Sequence, residues 1–299
     1  GVAAEARRAF YGAVAAGELV KYLQQVKEAA DVSSELARRM VQAGNFSKLA
    51  QMREQAFYAD ATSELALAQH QAVAARERLA RVLGLWGGQL AFQLPDRLPD
   101  LPRTPLEARN AERTAMERRL DVLAARRHAE STARSLGLTR TTRFINVLEL
   151  GYANKSVTGE ERANGYEIEL ELPIFDFGAT RTARAEATYM QALHRTADTA
   201  IRARSEVRES YSAYRTAYDP GKHYRDEVGP LRRGISEENL LRYNGMLIGV
   251  FELLADAREQ VGGVTSYVRA LRDFWIADTA LHTALTGRSP GTSAEAVPS

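Results

Sequence analysis

The sequence predicts a mainly α-helical protein with a small β part. Long antiparallel helical hairpins of coiled-coil type form two tandem repeats, and one β-hairpin lies between them. Three observations predict this class: a stretch that occurs twice, a helix with a heptad seam of alanines, and two segments in which apolar and polar residues alternate. The repeated stretch is "GNFSKLAQMREQ" from Gly44 and "GVFELLADAREQ" from Gly249, which share seven of twelve letters.

The repeat extends well beyond this stretch. "EARRAF" from Glu5 matches "EVRESY" from Glu206 at an offset of 201, and the two copies end at Gly84 and Gly287. Each copy has the pattern of a long helix, a glycine-containing turn, a second long helix and a glycine stop, which is typical of an αα-hairpin. A match sustained over about 80 residues indicates an internal duplication.

The second helix of the first copy carries the clearest packing pattern. Its apolar positions recur at spacings of four and three and are mostly alanine: Ala61, Leu65, Ala68, Ala72, Ala75, Leu79 and Val82. This is a heptad seam whose small residues allow a close approach of two helices. The stretch from Phe46 to Leu83 predicts a rod of about 55 Å.

Between the copies, the residue pattern departs twice from that of the long helices. "LPDRLPDLPRTP", from Leu94 to Pro105, holds four prolines and predicts an extended connector. We expect Thr104 to cap a helix that begins at Pro105 and ends at about Ser135.

Two segments after this helix have the alternation of strands. One row is apolar (Tyr166, Ile168, Leu170 and Leu172), and the other is acidic (Glu167, Glu169 and Glu171). The partner segment, about Phe144 to Ala153, alternates in the same way, with Glu149 in its polar row. Each strand is about ten residues long, which is enough to cross a bilayer when tilted.

A two-stranded hairpin is marginally stable alone, so it needs a partner. Either its apolar row packs on helices, or several subunits give strands to a closed barrel whose acidic face lines a lumen. The strands by themselves favour neither arrangement, whereas the helical repeats favour the barrel.

Composition excludes several classes of function. The 40 Lys and Arg residues are interleaved with 38 Asp and Glu, leaving a net charge of +2 without the basic patch of a nucleic-acid binder. No cysteine is present, which excludes disulfides, thiolate metal sites and a cysteine nucleophile. The sequence has no run of about 18 apolar residues, so it predicts no transmembrane helix.

Three segments, taken in order, resemble the TolC-type outer-membrane efflux channels. "LELPIFDFGATRTARAEATYMQA" from Leu170 resembles the junction from strand to helix in that family. "LRYNGMLIGVFELLADAREQ" from Leu241 resembles its periplasmic tip turn, and "YVRALRDFWIADTALHTALTG" from Tyr267 resembles its closing helix. The resemblance covers residues 3–287, and the branch that exports copper and other heavy metals is the most similar.

The resemblance implies an outer-membrane channel protomer of a tripartite efflux system. In this family, three protomers form a twelve-stranded barrel in the outer membrane, continued by an α-helical tunnel through the periplasm. The tunnel meets a periplasmic adaptor and an inner-membrane pump. The chain is then a passive conduit and not an enzyme, it has no cofactor, and its partners are a homotrimer, the adaptor, the pump and outer-membrane lipid, with no nucleic acid.

The resemblance also implies a division of the chain. Residues 1–88 are the first helical hairpin, 89–142 the proline-rich connector and an equatorial helix, 143–175 the barrel hairpin, 176–288 the second helical hairpin and 289–299 a tail. The second copy is preceded by a barrel hairpin and the first is not, so we expect a first hairpin, its helix and an export signal upstream of Gly1.

Site residues follow from the same resemblance. Gate candidates that close the tunnel through ion pairs are Arg53, Glu54, Arg242, Tyr243, Glu252, Asp256 and Arg258. The turns expected to contact the adaptor are Gly44, Asn45 and Phe46 and, in the second copy, Gly245, Met246 and Leu247. In the barrel, Tyr166, Ile168, Leu170 and Leu172 would face lipid, and Glu149, Glu167, Glu169 and Glu171 would face the lumen. We expect the double change Asp256→Ala and Arg258→Ala to raise the resting conductance.

No catalytic or metal-binding pattern is visible. The five histidines lie on helical segments without the spacing of a metal site. The alternative to a channel is a soluble, elongated coiled-coil scaffold or adaptor whose hairpin is an interaction tab. The two differ at Leu170, because a charge there would cost about 2 to 4 kcal/mol if that residue faced lipid near the midplane.

Overall fold

The computed structural model describes residues 2–107, 111–141, 147–155, 163–171 and 179–287, with the backbone alone at 138–141, in both strands and at 257. Its elements, in chain order, are helix α1 (Val2–Gln42), α2 (Lys48–Leu83), a short 3₁₀ helix (Gly87–Ala91), α3 (Ala111–Arg118), α4 (Leu120–Thr141), strands β1 (Val147–Lys155) and β2 (Ala163–Glu171), α5 (Ala179–His223), a π-helix (Tyr224–Val228), α6 (Gly229–Asn244) and α7 (Val250–Thr286). The predicted class, mostly long helices with a small β part, is confirmed.

The first helical hairpin is formed by α1 and α2, and its seam is where the alanine pattern predicts it. Ala61, Leu65, Ala68 and Leu79 are buried, and they pack in three successive clusters against α1 residues such as Leu23. The small side chains of the seam let the two helices run side by side over their whole length. Ser47 caps the start of α2, because its hydroxyl accepts a hydrogen bond from the Ala50 amide at 3.1 Å.

The second helical hairpin is longer on one side and interrupted. α5, the π-helix and α6 follow one another without a loop, and α7 runs back along them. α1 packs against both α2 and α7, which joins the two hairpins into one layer of helices. The largest buried cluster lies between α1, α5 and α7, with Tyr214, Tyr218 and Phe274 at its centre.

The proline-rich segment is extended, as its prolines predict, but it is more than a connector. Residues 94–107 lie across α1, α5 and α7, and Leu98 and Leu101 are buried in the main core. We call this segment the strap. Its backbone binds side chains from three helices. Glu18 of α1 accepts from the Leu98 amide at 2.9 Å, the Trp275 indole of α7 donates to the Pro99 carbonyl at 2.9 Å, and the Tyr218 hydroxyl of α5 donates to the Pro102 carbonyl at 3.0 Å.

The prediction that a helix begins at Pro105 is wrong. Residues 105–107 are not helical, and the first helix described after the strap begins at Ala111. The reason is tertiary, since both backbone groups of Leu106 bind tyrosine hydroxyls of α5: the amide donates to Tyr214 and the carbonyl accepts from Tyr211, each at 3.1 Å. These bonds hold the chain extended where a Thr-Pro pair would otherwise begin a helix.

The predicted single helix is also divided at Arg119, which separates α3 from α4. Its side chain is 1% exposed, and its guanidinium forms ion pairs with Asp121 of α4 and with Glu206 of α5. It also donates to the carbonyls of Ala203 and Ala284, both at 3.4 Å. A buried cation needs such partners, and the backbone breaks here to place it among them.

β1 and β2 form an antiparallel two-stranded sheet. Their register pairs Leu148 with Leu170 and Glu149 with Glu169, so the apolar rows that alternation predicts lie opposite each other. The directions of these side chains, and Leu172, lie outside the described part of the chain, so the predicted lipid-facing and lumen-facing rows remain predictions.

Candidate functional site at the helical tip

Both helical hairpins turn with the same backbone geometry. In the first turn, the Gly44 amide donates to the Val41 carbonyl at 3.0 Å, and the next amide donates to the Met40 carbonyl at 2.9 Å. In the second, the Met246 amide donates to the Tyr243 carbonyl at 3.0 Å, and the next amide reaches back five residues in the same way. This pair of bonds is a Schellman motif, which terminates a helix by placing one residue in the left-handed region.

The left-handed residue differs between the two turns. It is Gly44 in the first, with φ +74°, and Met246 in the second, with φ +59°. Gly245 lies one residue too early to take this role, and Gly249 is the N-cap of α7. Structurally, therefore, Gly44 corresponds to Met246 and not to Gly249, the residue with which the seven-letter match aligns it. The two alignments differ by three residues, close to one helical turn, so similar side chains recur on nearly the same helix face.

An aromatic pair joins the two turns. The rings of Phe46 and Phe251 are stacked, with their centroids 4.1 Å apart and their planes at 24°. Phe46 belongs to the first turn and Phe251 to the first residues of α7, so the contact links the two repeats at their tips. Such stacked pairs contribute about 0.5 to 1.5 kcal/mol beyond the burial of their surface.

A buried ion pair joins the repeats just above the turns. Glu54 of α2 is 5% exposed and pairs with Arg258 of α7. Ser33 of α1 donates its hydroxyl to the same carboxylate at 2.5 Å, and the Arg258 guanidinium lies 4.5 Å from the centre of the Phe57 ring. We call these four residues, with Phe46 and Phe251, the tip cluster. It connects three helices around the buried Glu54 carboxylate, which is compensated by the Ser33 hydroxyl and by the guanidinium of Arg258, whose side chain is 26% exposed.

The structure brings two of the seven predicted gate residues together, Glu54 and Arg258. Arg242 pairs instead with Glu238 on its own helix, and Asp256 accepts a hydrogen bond from Gln260 at 3.2 Å. The other three candidates, Arg53, Tyr243 and Glu252, are exposed at the surface of the tip. In the described residues, Asp256 and Arg258 are therefore not paired with each other, because Arg258 pairs with Glu54. The higher resting conductance expected for the double change Asp256→Ala and Arg258→Ala stays a prediction.

The predicted adaptor-contact residues lie at the end of the hairpins. Met246 is 94% exposed and Leu247 is 77% exposed, which is unusual for large apolar side chains. Gly44 and Asn45 are exposed as well, whereas Phe46 is half-buried by its stacking. An exposed apolar pair at the tip is a feature of binding surfaces.

Sequence reasoning missed the hydroxyl contacts of the strap. Tyr218 donates to the carbonyls of Pro102 and Arg103, both at 3.0 Å, next to the Tyr214 and Tyr211 bonds to Leu106. Burial raises the pKa of the Tyr214 hydroxyl. The signal available in the sequence was the spacing of these tyrosines by three and four residues, which places them along one face of α5.

Within the described part of the chain, no group of three or more His, Asp or Glu residues is arranged to hold a metal ion. None of the described helices has an apolar stretch of the length and hydropathy required to span a bilayer.

Several solved structures have the same fold as this chain. A membrane protein from Pseudomonas aeruginosa has a TM-score of 0.74 and 20% identity, over 96% of this chain and 66% of its own. The open state of the Neisseria gonorrhoeae MtrE outer membrane channel has a TM-score of 0.74 and 18% identity, over 96% of this chain and 66% of that chain. For the Campylobacter jejuni CmeC outer membrane channel, the values are 0.69 and 15%, over 96% of this chain and 62% of that one.

The chain thus spans about two thirds of the length of these channels. No protein-family model matches the sequence, and no curated protein matches it either. MtrE and CmeC are outer membrane channels. The resemblance to the TolC-type channels is confirmed at the level of the fold: the chain has the fold of the outer-membrane efflux channels.

Proposed function

We propose that this chain is a protomer of a TolC-type outer-membrane efflux channel, a passive conduit across the periplasm and the outer membrane. The observation that carries the proposal is the shared fold over 96% of the chain with an outer membrane channel in its open state. A soluble scaffold is not favoured, because the similar structures are outer-membrane channels. The domain division, the outer-membrane location and the partners given above belong to the same proposal.

In this proposal, the tip cluster holds the periplasmic entrance closed. Glu54 and Arg258 belong to different repeats, so their ion pair connects neighbouring hairpins of the tunnel wall. An isolated exposed pair would contribute only about 0 to 1 kcal/mol. Burial of Glu54, the Ser33 hydrogen bond and the Phe46–Phe251 stack make this contact stronger than such a pair. Met246 and Leu247 are then the apolar part of the adaptor-contact turns.

We propose further that three copies close into a ring. Within one chain, the internal repeat places α1 of the first hairpin against α7 of the second. If the same repeat operation is applied once more, α6 meets α2 of a second copy. Both helices carry large exposed apolar side chains that this contact would cover: Leu49 at 62% and Met52 at 56% on α2, and Leu231 at 66% and Ile235 at 44% on α6. β1 and β2 of each copy then join a common barrel.

In that barrel, the predicted rows keep their roles. Tyr166, Ile168, Leu170 and Leu172 face lipid, and Glu149, Glu167, Glu169 and Glu171 face the lumen, where carboxylates favour cations. Transported substrates are selected by the pump in such a system, so the channel side chains need not recognise them.

The test is single-channel recording of the purified chain in planar lipid bilayers, together with its molar mass in detergent. We expect a mass of three times 33.0 kDa and a small resting conductance. The double change Glu54→Ala and Arg258→Ala should raise this conductance several-fold. The matched control removes another ion pair, exposed on α3, by Arg113→Ala and Glu117→Ala, and should leave it unchanged. A detergent-independent monomer without conductance would overturn the proposal.

A further inference from the structure

The two helical hairpins differ in how they can bend. In the first hairpin, α2 contains no glycine or proline from Lys48 to Leu83, and the two glycines of α1, Gly12 and Gly17, lie far from the tip turn. The second hairpin has a π-helix on one side and an adjacent pair of glycines on the other. Between α5 and α6, the π-helix Tyr224–Val228 follows Pro220 and precedes Gly229 and Pro230. Prolines remove backbone donors inside the helix, and the Gly229 amide bonds to the Tyr224 carbonyl across a five-residue step.

The opposite side of the hairpin has its own weak point. α7 contains the adjacent pair Gly262 and Gly263, and glycine is the residue that least resists bending of a helix. Gly263 faces the start of α6, because a Cβ atom built on it would lie 2.9 Å from Nε of Arg232, whereas a Cβ atom on Gly262 would meet no atom within 4 Å. The π-helix and Gly263 thus lie at the same level, and both line a cavity of about 300 Å³.

Arg232 connects these two weak points. Its Nη1 donates at 2.8 Å to the carbonyl of Glu259, which is the group that accepts from the Gly263 amide in a regular α-helix. The absent side chain of Gly263 leaves the notch in which the guanidinium lies. Arg232 therefore holds the start of α6 against α7 at the level of the π-helix and of Gly263.

The second hairpin has many contacts on the strap side of the π-helix and few on the tip side. On the strap side, Tyr218 binds two carbonyls of the strap, Arg225 donates to the Leu101 carbonyl at 3.3 Å, and Gly221 lies close against the Leu101 side chain. On the tip side, α6 has no buried residue. The strap therefore fixes one end of the second hairpin, and the tip cluster is the main tie of the other.

We propose that the π-helix and the Gly262–Gly263 pair form a two-sided hinge, about which residues 229–262 bend as one arm against the first hairpin. Arg232 is the positioning residue that sets the stiffness of this hinge. The inference rests on the proposed function in one respect, that bending of the arm widens the entrance. The bending itself is a property of the single chain, and it is measured without a membrane.

The first experiment measures the bending directly. Because the chain has no cysteine, spin labels can be placed at Lys48→Cys on the first hairpin and Glu237→Cys on α6, both of them exposed. Pulsed electron paramagnetic resonance then gives the distribution of distances between the two labels. In an Arg258→Ala background, in which the tip cluster is broken, we expect a broad distribution.

Matched glycine variants locate the hinge. Gly262→Ala and Gly234→Ala each add a methyl group with no atom within 4 Å, so both stabilise a helix without a clash. We expect Gly262→Ala to narrow the distance distribution and to slow amide exchange at residues 259–267 about 5-fold. Gly234→Ala, which lies in the arm but away from the hinge, should leave the distribution unchanged. Equal effects of both variants would overturn the hinge.

Matched arginine variants test the stiffness. Arg232→Ala should broaden the distribution and speed amide exchange near Gly263, whereas its exposed neighbour Arg233→Ala should do neither. An unchanged distribution in Arg232→Ala would overturn the role of that residue. Conductance is recorded separately: a chain that bends as expected but forms no channel contradicts the proposed function and leaves the hinge standing.

Discussion

At the scale of single residues, the Glu54–Arg258 pair is the contact on which the tip depends most. Removing one partner of a buried pair leaves the other charge without compensation. We expect Arg258→Ala to lower the free energy of unfolding by about 2 to 3 kcal/mol in urea titrations, because Glu54 would keep only the Ser33 hydrogen bond. The exposed Arg53→Ala serves as the control, and a similar loss in that variant would contradict this assignment.

The left-handed turn residues allow a second prediction. Met246 is held at φ +59° while 94% exposed, so it has the strain of a non-glycine residue and little packing to offset it. Met246→Gly should raise the free energy of unfolding by about 1 kcal/mol. Gly44→Ala, at φ +74°, should lower it by a similar amount. Thermal unfolding of the two variants measures both, and a destabilised Met246→Gly would show that the side chain is held by contacts.

Residue patterns predicted this site unevenly. The shared letters at Phe46 and Phe251, and at Glu54 beside an Arg-Glu pair in the second copy, marked the residues that meet at the tip. These shared residues do not predict which charged side chains pair, because an ion pair between two helices depends on how each helix is rotated about its axis. That rotation cannot be read from the sequence. Arg242 carries the same charge as Arg258, and Asp256 the same charge as Glu54, yet Arg242 and Asp256 each bind a residue of their own helix.

At the scale of elements, the strap is the feature with the clearest chemical signature. Burial raises the pKa of Tyr214 in the core and of Tyr267 on α7 above the ordinary value of 10.0. In the folded protein, these hydroxyls therefore keep their protons at a pH where the unfolded chain loses them. Their contribution to stability is complete below pH 10 and is lost as the pH rises through the folded pKa.

We therefore expect the free energy of unfolding to fall with pH above about 10, as measured by urea titrations at a series of pH values. The double variant Tyr214→Phe and Tyr267→Phe should be less stable at neutral pH, because Leu106 loses a partner, and should show a weaker fall at high pH. A fall of unchanged steepness in the variant would assign the alkaline loss to other groups.

The helices and strands were predictable to different degrees. The long helices follow from local pattern and caps, and so do the turns at Gly44 and near Gly245. The non-helical backbone at Leu106 and the break at Arg119 do not, because each is made by partners about one hundred residues away. The π-helix belongs with them: prolines and glycines mark the region, but the five-residue step arises where α6 packs on α7.

At the scale of the whole molecule, the decisive prediction is self-association through α2 and α6. A charge placed on the exposed apolar face of α6, as in Leu231→Lys, should convert the expected trimer into smaller species in light scattering. Val32→Lys is the matched control, because Val32 of α1 is also exposed, at 70%, and lies on neither of the two helices. A trimer that survives Leu231→Lys and is lost in the control would place the contact elsewhere.

The sequence by itself determined the repeat, the two helical hairpins, the strand pair and the family whose fold the chain shares. The helical hairpins and the strand pair follow from local periodicity, whereas the repeat and the family follow from matching residues in separate stretches of the sequence. Only the tertiary structure decided that Glu54 pairs with Arg258, that Phe46 stacks on Phe251 and that the proline-rich segment is a strap across three helices. Those contacts join residues from 80 to more than 200 positions apart. Their formation depends on helix rotation and register, which close packing of the whole chain settles and no local pattern encodes.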